Sequence, residues 1–280
     1  MEGDLGTYAE NTWCKGCGNF GLMNAFKKAV KKLEEDDVKR ESIMISAGIG
    51  CHGKIFDYLD LSGLYSIHGR ETATVEGMVF ANPDLNVVAF GGDGDVYGEG
   101  ISHLIFAAKR NADITLIVHN NSAYALTTGQ FSPTSEKGYK GPSSPTGSTE
   151  PPLDPLSVAL SAGASFVARG YAGKVGHLRD LFVEGVKHEG FSLIDVLQPC
   201  VTFNDTYKKY NEAVYIMEET PETMEEAMEL TKKSDEIPLG VYYKEEKTVF
   251  LQALYGDKNP VKDKMSKEER DESIRKILGY

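Results

Sequence analysis

Val87-Val-Ala-Phe-Gly-Gly-Asp-Gly-Asp-Val96 and Ile114-Thr-Leu-Ile-Val-His-Asn-Asn-Ser-Ala-Tyr124 decide the fold. The first stretch is an apolar run ending in Gly92-Asp93-Gly94. Ile101, Leu104, Ile105 and Ala108 then recur at helical spacing, and a second apolar run, Ile114 to Val118, ends in Asn120-Asn121. Strand, turn, helix, strand is one βαβ unit. Its right-handed crossover brings both strand ends to one sheet edge, where open parallel sheets bind ligands. Asp93 offers that edge an anionic oxygen, Asn121 an amide oxygen, and Ala123 a backbone carbonyl. Mg²⁺ takes such hard ligands and shares its shell with phosphate oxygens. Gly92 and Gly94 allow close approach, and a helix beginning near Gly98 is expected to aim amide N–H groups at an anion. The chemistry expected is a Mg²⁺–diphosphate site.

Gly-Asp-Gly, 25 intervening residues and Asn-Asn resemble the thiamine diphosphate fingerprint. The resemblance implies Mg²⁺ on Asp93, Asn121 and the Ala123 carbonyl. The alternative is a nucleotide-type βαβ turn with a structural Asp.

The 280 residues, 41% apolar and 26% charged, suit one large α/β domain with appendages. A net charge of −12 argues against nucleic acid or an anionic membrane as main partner. No apolar run has transmembrane length, and the start, Met1-Glu-Gly-Asp-Leu-Gly6, lacks a signal-peptide pattern, so a cytoplasmic location is expected. Four cysteines there are not expected to form disulfides.

In chain order, a helix is expected from Asn19, its stripe Phe20, Met23, Phe26, Val30 and Leu33, with Asn19 as cap. Ser42 to Ala47 is a strand that breaks at Gly48-Ile-Gly-Cys-His-Gly-Lys54, a ligand-facing turn. Tyr65-Ser-Ile-His-Gly-Arg70 is a further strand end, and Glu71 to Ala81 a helix stopped by Pro83. Tyr124 to Pro155, rich in Gly, Ser, Thr and Pro, reads as an ordered loop over the active face; the alternative is a floppy linker. Asp154–Ser161 and Val175–His188 are expected helices, and Ser165–Ala168 and Phe191–Leu197 expected strands. An acidic amphipathic helix over Pro221–Lys233, a possible edge strand at Val241–Tyr243 and a helix opened by the capping box Ser266-x-x-Glu269 complete the chain.

The cysteines run Cys14-x₂-Cys17-x₃₃-Cys51-x₁₄₈-Cys200. Cys51 and Cys200 follow predicted strands, so four thiolates converge if the first pair folds across. Four thiolates suit Zn²⁺ or an iron–sulfur cluster, and spacing does not choose; two buried free thiols at Cys51 and Cys200 are the plainer alternative.

Trp13-Cys-x-Gly-Cys-Gly-Asn19, Gly48-Ile-Gly-Cys-x-Gly-Lys54, Ile67-His-Gly-Arg70, Gly91-Gly-Asp-Gly-Asp95, His119-Asn-Asn-x-x-Tyr-x-Leu-Thr-x-Gly-Gln-x-Ser-Pro-Thr134 and Leu197-Gln-Pro-Cys200 together resemble the β subunit of 2-oxoacid:ferredoxin oxidoreductases, in the branch with short, separate β subunits. The match covers about residues 10–205. It implies an α/β thiamine diphosphate-binding fold, a mostly parallel sheet with helices on both faces, over 1–205. Residues 206–280 are expected to form a C-terminal α-rich extension packed on that domain or on a partner.

The resemblance further implies a [4Fe–4S] cluster on Cys14, Cys17, Cys51 and Cys200. It places Ile49, Gly50, Cys51, His52, Gly92, Gly94, Asp95, Asn120, Ala125 and Leu126 at the cofactor. His68 contacts the diphosphate or is a structural histidine; Lys54 binds the substrate carboxylate or is a surface lysine. His52 and Glu71 depart from the residues usual there, which bears on substrate choice.

The implied reaction is oxidative decarboxylation of a 2-oxoacid, pyruvate or 2-oxoglutarate among the candidates, with coenzyme A to acyl-CoA and CO₂. Electrons leave through the cluster to ferredoxin. The resemblance implies that an α subunit supplies the carboxylate that thiamine enzymes use at the aminopyrimidine. Two competing readings are a non-redox thiamine decarboxylase or carboligase subunit and a zinc-stapled nucleotide-binding subunit.

Overall fold

The structure, a computed structural model, describes residues 5–233, 235–256 and 263–279. The first four residues of the N-terminal segment read above lie outside that set. Five strands follow the expected βα rhythm: β1 (Ile43–Ala47), β2 (Ser62–Tyr65), β3 (Asn86–Gly92), β4 (Ile114–Asn120) and β5 (Phe166–Tyr171). β6 (Phe191–Leu197), β7 (Val214–Ile216) and β8 (Ile237–Lys244) complete one eight-stranded sheet, ordered β2-β1-β3-β4-β6-β5-β8-β7. The first six strands in that order are mutually parallel, and β8 runs antiparallel to β5. β3, β4 and β6 are buried along nearly their whole length because helices cover both faces, as their continuous apolar runs require.

Helix α1 (Asn19–Glu35) and, further along the chain, the helix Val175–Lys187 cover one face of the sheet. Phe26 of α1 is fully buried there, edge-on to Phe90 at 4.9 Å and Phe182 at 6.0 Å. Each such side chain contributes about 1.5–3 kcal/mol of burial. The opposite face carries Glu71–Ala81, Ile101–Arg110, Pro155–Ser161 and Met224–Thr231, around Val75, Leu104, Leu156 and Ala227.

Four local expectations change. Asn19 does not cap α1: Gly18 is the N-cap, and the Asn19 amide oxygen turns inward to His119 Nδ1 at 2.8 Å. Helical backbone begins at Asp93, with a widened turn over Asp95–Glu99, five residues before Gly98. The strand at Val241–Tyr243 extends over Ile237–Lys244 and is interior, paired on both sides, because the short β7 takes the edge. The acidic helix is shorter, Met224–Thr231, since Thr223 and Glu226 close a capping box there. Residues 121–154 hold no helix or strand, yet Ser132, Thr134 and Ser135 are buried under the sheet edge. Among the described residues no helix is long and apolar enough to cross a membrane.

Candidate functional site

The parallel strands deliver the turns after β1, β3, β4 and β6, and the segment after β2, to one edge. A cavity of about 80 Å³ opens between them. Ile49, Gly50, Cys51 and His52 line it from the first turn, His68 from the segment after β2, and Gly92, Asp93, Gly94 and Asp95 from the third. Asn121, Ala123, Ala125 and Leu126 close the other side. Asn120 lies one layer deeper. Its amide donates to Asp195 Oδ1 at 3.0 Å and accepts from Thr134 Oγ1 at 2.9 Å.

Asp93 is nearly inaccessible, and burial pushes its carboxyl up to about 6 despite hydrogen bonds from Ser132 and Thr134. Ser132 Oγ stands 2.5 Å and Thr134 Oγ1 2.8 Å from Asp93 Oδ2. Both hydroxyls come from the Gly/Ser/Pro-rich loop, which therefore orients this carboxylate. Asn121 Nδ2 donates to Gln198 Oε1 at 3.1 Å, leaving Oδ1 toward the turn, where it accepts from the Ala123 N–H. Ser122 has φ +54°, the left-handed bend that turns the chain back toward Asp93. An anionic oxygen held by two hydroxyls, beside an amide oxygen and a turn carbonyl, fits a hard divalent cation.

Behind this shell lies a support that the sequence did not disclose. Tyr97 OH donates to Asp195 Oδ1 at 2.9 Å, and Arg169 pairs with Asp195 Oδ2 at 3.4 Å. The buried chain runs Arg169–Asp195–Asn120–Thr134–Asp93. Its members come from five separate segments; the fingerprint holds Asp93 and Asn120, but no local pattern ties Arg169 and Asp195 to them.

A second cavity, about 200 Å³, adjoins the first. Cys14, Cys17, Cys51 and Cys200 all line it, with Lys54. Cys51, Asn121, Ala125 and Leu126 belong to both walls. The Cys14–Cys17 turn folds across because Gly16 takes φ +83° and the Gly18 N–H donates to Pro199 O at 3.1 Å. Trp13 Nε1 donates to Cys51 O at 2.6 Å. Burial, against the Asn19 backbone N–H and with smaller contributions from the other three cysteines, pushes the Cys17 thiol up to about 11. Burial also raises Cys51, partly offset by Lys54. The four thiols share a cavity rather than a closed shell: among the described residues no three His, Cys, Asp or Glu stand tightly enough to hold an ion. Soft thiol donors on several walls of one cavity fit a sulfur-ligated centre.

The sequence pattern described as "Thiamine pyrophosphate enzyme, C-terminal TPP binding domain" matches residues 48–196, and the pattern for the C-terminal part of the pyruvate ferredoxin oxidoreductase β chain matches 200–257. Fold and site thus define a thiamine diphosphate-binding domain. The chain is 40% identical over 268 residues to the 2-oxoacid:ferredoxin oxidoreductase subunit beta of Saccharolobus solfataricus, covering 89% of this chain and 87% of that one. It is 42% identical over 190 residues to the 2-oxoglutarate synthase subunit KorB of Archaeoglobus fulgidus, covering 68% and 70%. A solved 2-oxoglutarate:ferredoxin oxidoreductase from Magnetococcus marinus, with 2-oxoglutarate, coenzyme A and succinyl-CoA bound, superposes with TM-score 0.84 at 31% identity, covering 99% of this chain and 90% of that one. The chain belongs to the β subunits of the 2-oxoacid:ferredoxin oxidoreductase family.

Thr134→Val removes the hydroxyl shared between Asp93 and Asn120 while keeping its volume. It is expected to weaken thiamine diphosphate binding about 10–100-fold, as outer-shell losses do, in a chain that still folds. Calorimetric titration of the assembled enzyme measures this; unchanged affinity would remove the loop from the site.

Proposed function

We propose that this chain, together with an α subunit, performs the oxidative decarboxylation of 2-oxoacids, 2-oxoglutarate among them, to acyl-CoA and CO₂, passing electrons through a [4Fe–4S] cluster to ferredoxin in the cytoplasm. The single observation that supports it most is the shared wall: Cys51 and Asn121 line both the thiol cavity and the Asp93 cavity. A redox centre on the thiols then abuts a cofactor held at Asp93.

Asp93, Asn121 and the Ala123 carbonyl would hold Mg²⁺, and Mg²⁺ the diphosphate. Cys14, Cys17, Cys51 and Cys200 would hold the cluster. When bound, thiamine diphosphate supplies a nucleophilic carbon and an electron sink for decarboxylation, and the cluster an electron exit. Gly50, Gly92 and Gly94 let His52 and Tyr124 pack directly on the backbone of the cavity wall: a Cβ at Gly92 would meet His52 Nδ1 at 2.7 Å, and one at Gly94 the Tyr124 ring at 2.3 Å. Ile49 and Leu126, both substantially exposed, shield the mouth with apolar surface. His68 lines the same cavity and offers a donor toward the diphosphate. Lys54, beside Cys51 in the thiol cavity, offers a cation to the substrate carboxylate.

The carboxylates lining the first cavity are Asp93 and Asp95. Neither suits the aminopyrimidine: Asp93 is given to the metal, and Asp95 already accepts from the Gly69 N–H at 2.6 Å and stands 3.0 Å from His52 Nε2. The α subunit would supply that group. The β chain alone, loaded with cofactor and iron, is therefore expected to form no acyl-CoA from any 2-oxoacid, and adding α to restore it. Acyl-CoA produced by α-free β refutes the division of labour.

A further inference from the structure

Glu71 opens the helix after the His68 segment and is fully buried, and among the described residues neither carboxyl oxygen has a well-formed hydrogen bond. It faces Asp95. A Cβ built at Gly48 would stand 1.7 Å from Asp95 Oδ2 and 2.6 Å from Glu71 Oε2, so the two carboxyls converge on one point. Glycine is what leaves that point open. A Cβ at Gly91 would meet Glu71 Oε1 at 2.8 Å, which places the acid directly behind the Gly91-Gly92-Asp93 turn.

Two ionised carboxylates do not share such a space, and one takes the proton. Asp95 has the donors: His52 Nε2 at 3.0 Å and the Gly69 N–H at 2.6 Å, with His68 Nδ1 2.5 Å away but off the angle of a hydrogen bond. Burial first, then the Asp95 charge, push Glu71 well above its ordinary 4.5, against the backbone N–H groups of Arg70 and Glu71.

We propose that Glu71 is a positioning residue of the cofactor site, a carboxylic acid whose O–H donates to Asp95 and holds that carboxylate between His52 and His68. Asp95 then presents His52 to the cavity wall formed by Gly50 and Gly92. Glu71 itself does not line the cavity. The inference rests on reading this cavity as the thiamine diphosphate site.

Infrared difference spectroscopy of wild type minus Glu71→Gln, on the assembled αβ enzyme at neutral pH, is expected to show the carbonyl stretch of one protonated carboxylic acid, shifted by deuteration. Glu71→Gln keeps a donor and is expected to hold cofactor affinity within about threefold. Glu71→Met keeps the bulk without the donor and is expected to weaken cofactor binding about 10–100-fold. In a His52→Ala background that second loss should shrink to about twofold, because the effect travels through Asp95 to His52. A missing band, a Gln variant as damaged as the Met variant, or losses that simply add with His52→Ala each overturn the inference. If Glu71→Met does not fold, the band and the Gln variant decide. Failure of wild-type enzyme to bind thiamine diphosphate sinks the site reading instead, and leaves the band to report on Glu71 alone.

Discussion

Cys51→Ala in the anaerobically purified αβ complex is expected to lower the iron held by this chain from about four atoms to near zero. Ferredoxin-linked oxidation of 2-oxoacids should fall at least about 10³-fold with it, since the electrons then have no exit. Cys51 is the thiol to choose because it lies on the wall between the two cavities, half-buried and tied by its carbonyl to Trp13 Nε1. The Ala side chain keeps most of the volume, and the backbone anchor does not depend on sulfur, so the fold should survive. The cofactor site has its own ligands, so thiamine diphosphate binding should weaken far less than activity. Iron counting and the visible absorption band measure the first effect, and calorimetric titration the second. Full iron content in this variant, or one zinc per chain in the wild type, overturns the cluster assignment.

Asp93→Asn is expected to raise the dissociation constant for Mg²⁺–thiamine diphosphate at least about 10³-fold, a loss of about 4 kcal/mol. The amide is nearly isosteric, so Ser132 and Thr134 keep an oxygen to donate to. What disappears is the one charge at the proposed metal position. Because burial already pushes Asp93 up to about 6 in the cofactor-free protein, its charge is a burden to the empty fold. The Asn variant should therefore be at least as stable as wild type without cofactor. Saturating cofactor at about 100 times its dissociation constant stabilises wild type by about 2.7 kcal/mol, and that increment should vanish in Asp93→Asn. Thermal melts with and without Mg²⁺–thiamine diphosphate read both effects. A variant that still gains stability from the cofactor refutes the role given to Asp93.

Much of this was written locally. Continuous apolar runs at Val87–Phe90 and Ile114–Val118 specify strands buried on both faces, and the helix between them forces parallel pairing. Parallel pairing alone gathers the ends at Gly48, Gly92, Asn120 and Leu197 on one edge, which is why motifs far apart in the chain were readable as one site. What was not readable depends on pairing and burial. Val241–Tyr243 has the apolar character of a strand but not the identity of its neighbours; only β7 beside Ile237–Leu239 makes it interior.

Asp195 and Arg169 look like ordinary strand-borne charges until β5 and β6 pair and place them together under Asn120. Ser132 and Thr134 sit in a stretch whose composition and length announce a loop over the active face, but not that their hydroxyls reach the Asp93 carboxylate. Glu71 carries the same lesson: at the first turn of a helix an acid is the expected residue, stabilised there as an anion. The tertiary structure removes its water and sets it against Asp95, and desolvation with a neighbouring charge outweighs the helix terminus. The parallel core of the sheet, its ligand edge and the donor types were legible in the sequence alone, because these follow from periodicity and from turns a few residues long. The protonation and orientation of those donors were left to the tertiary structure, because they depend on which distant groups share the same dry space.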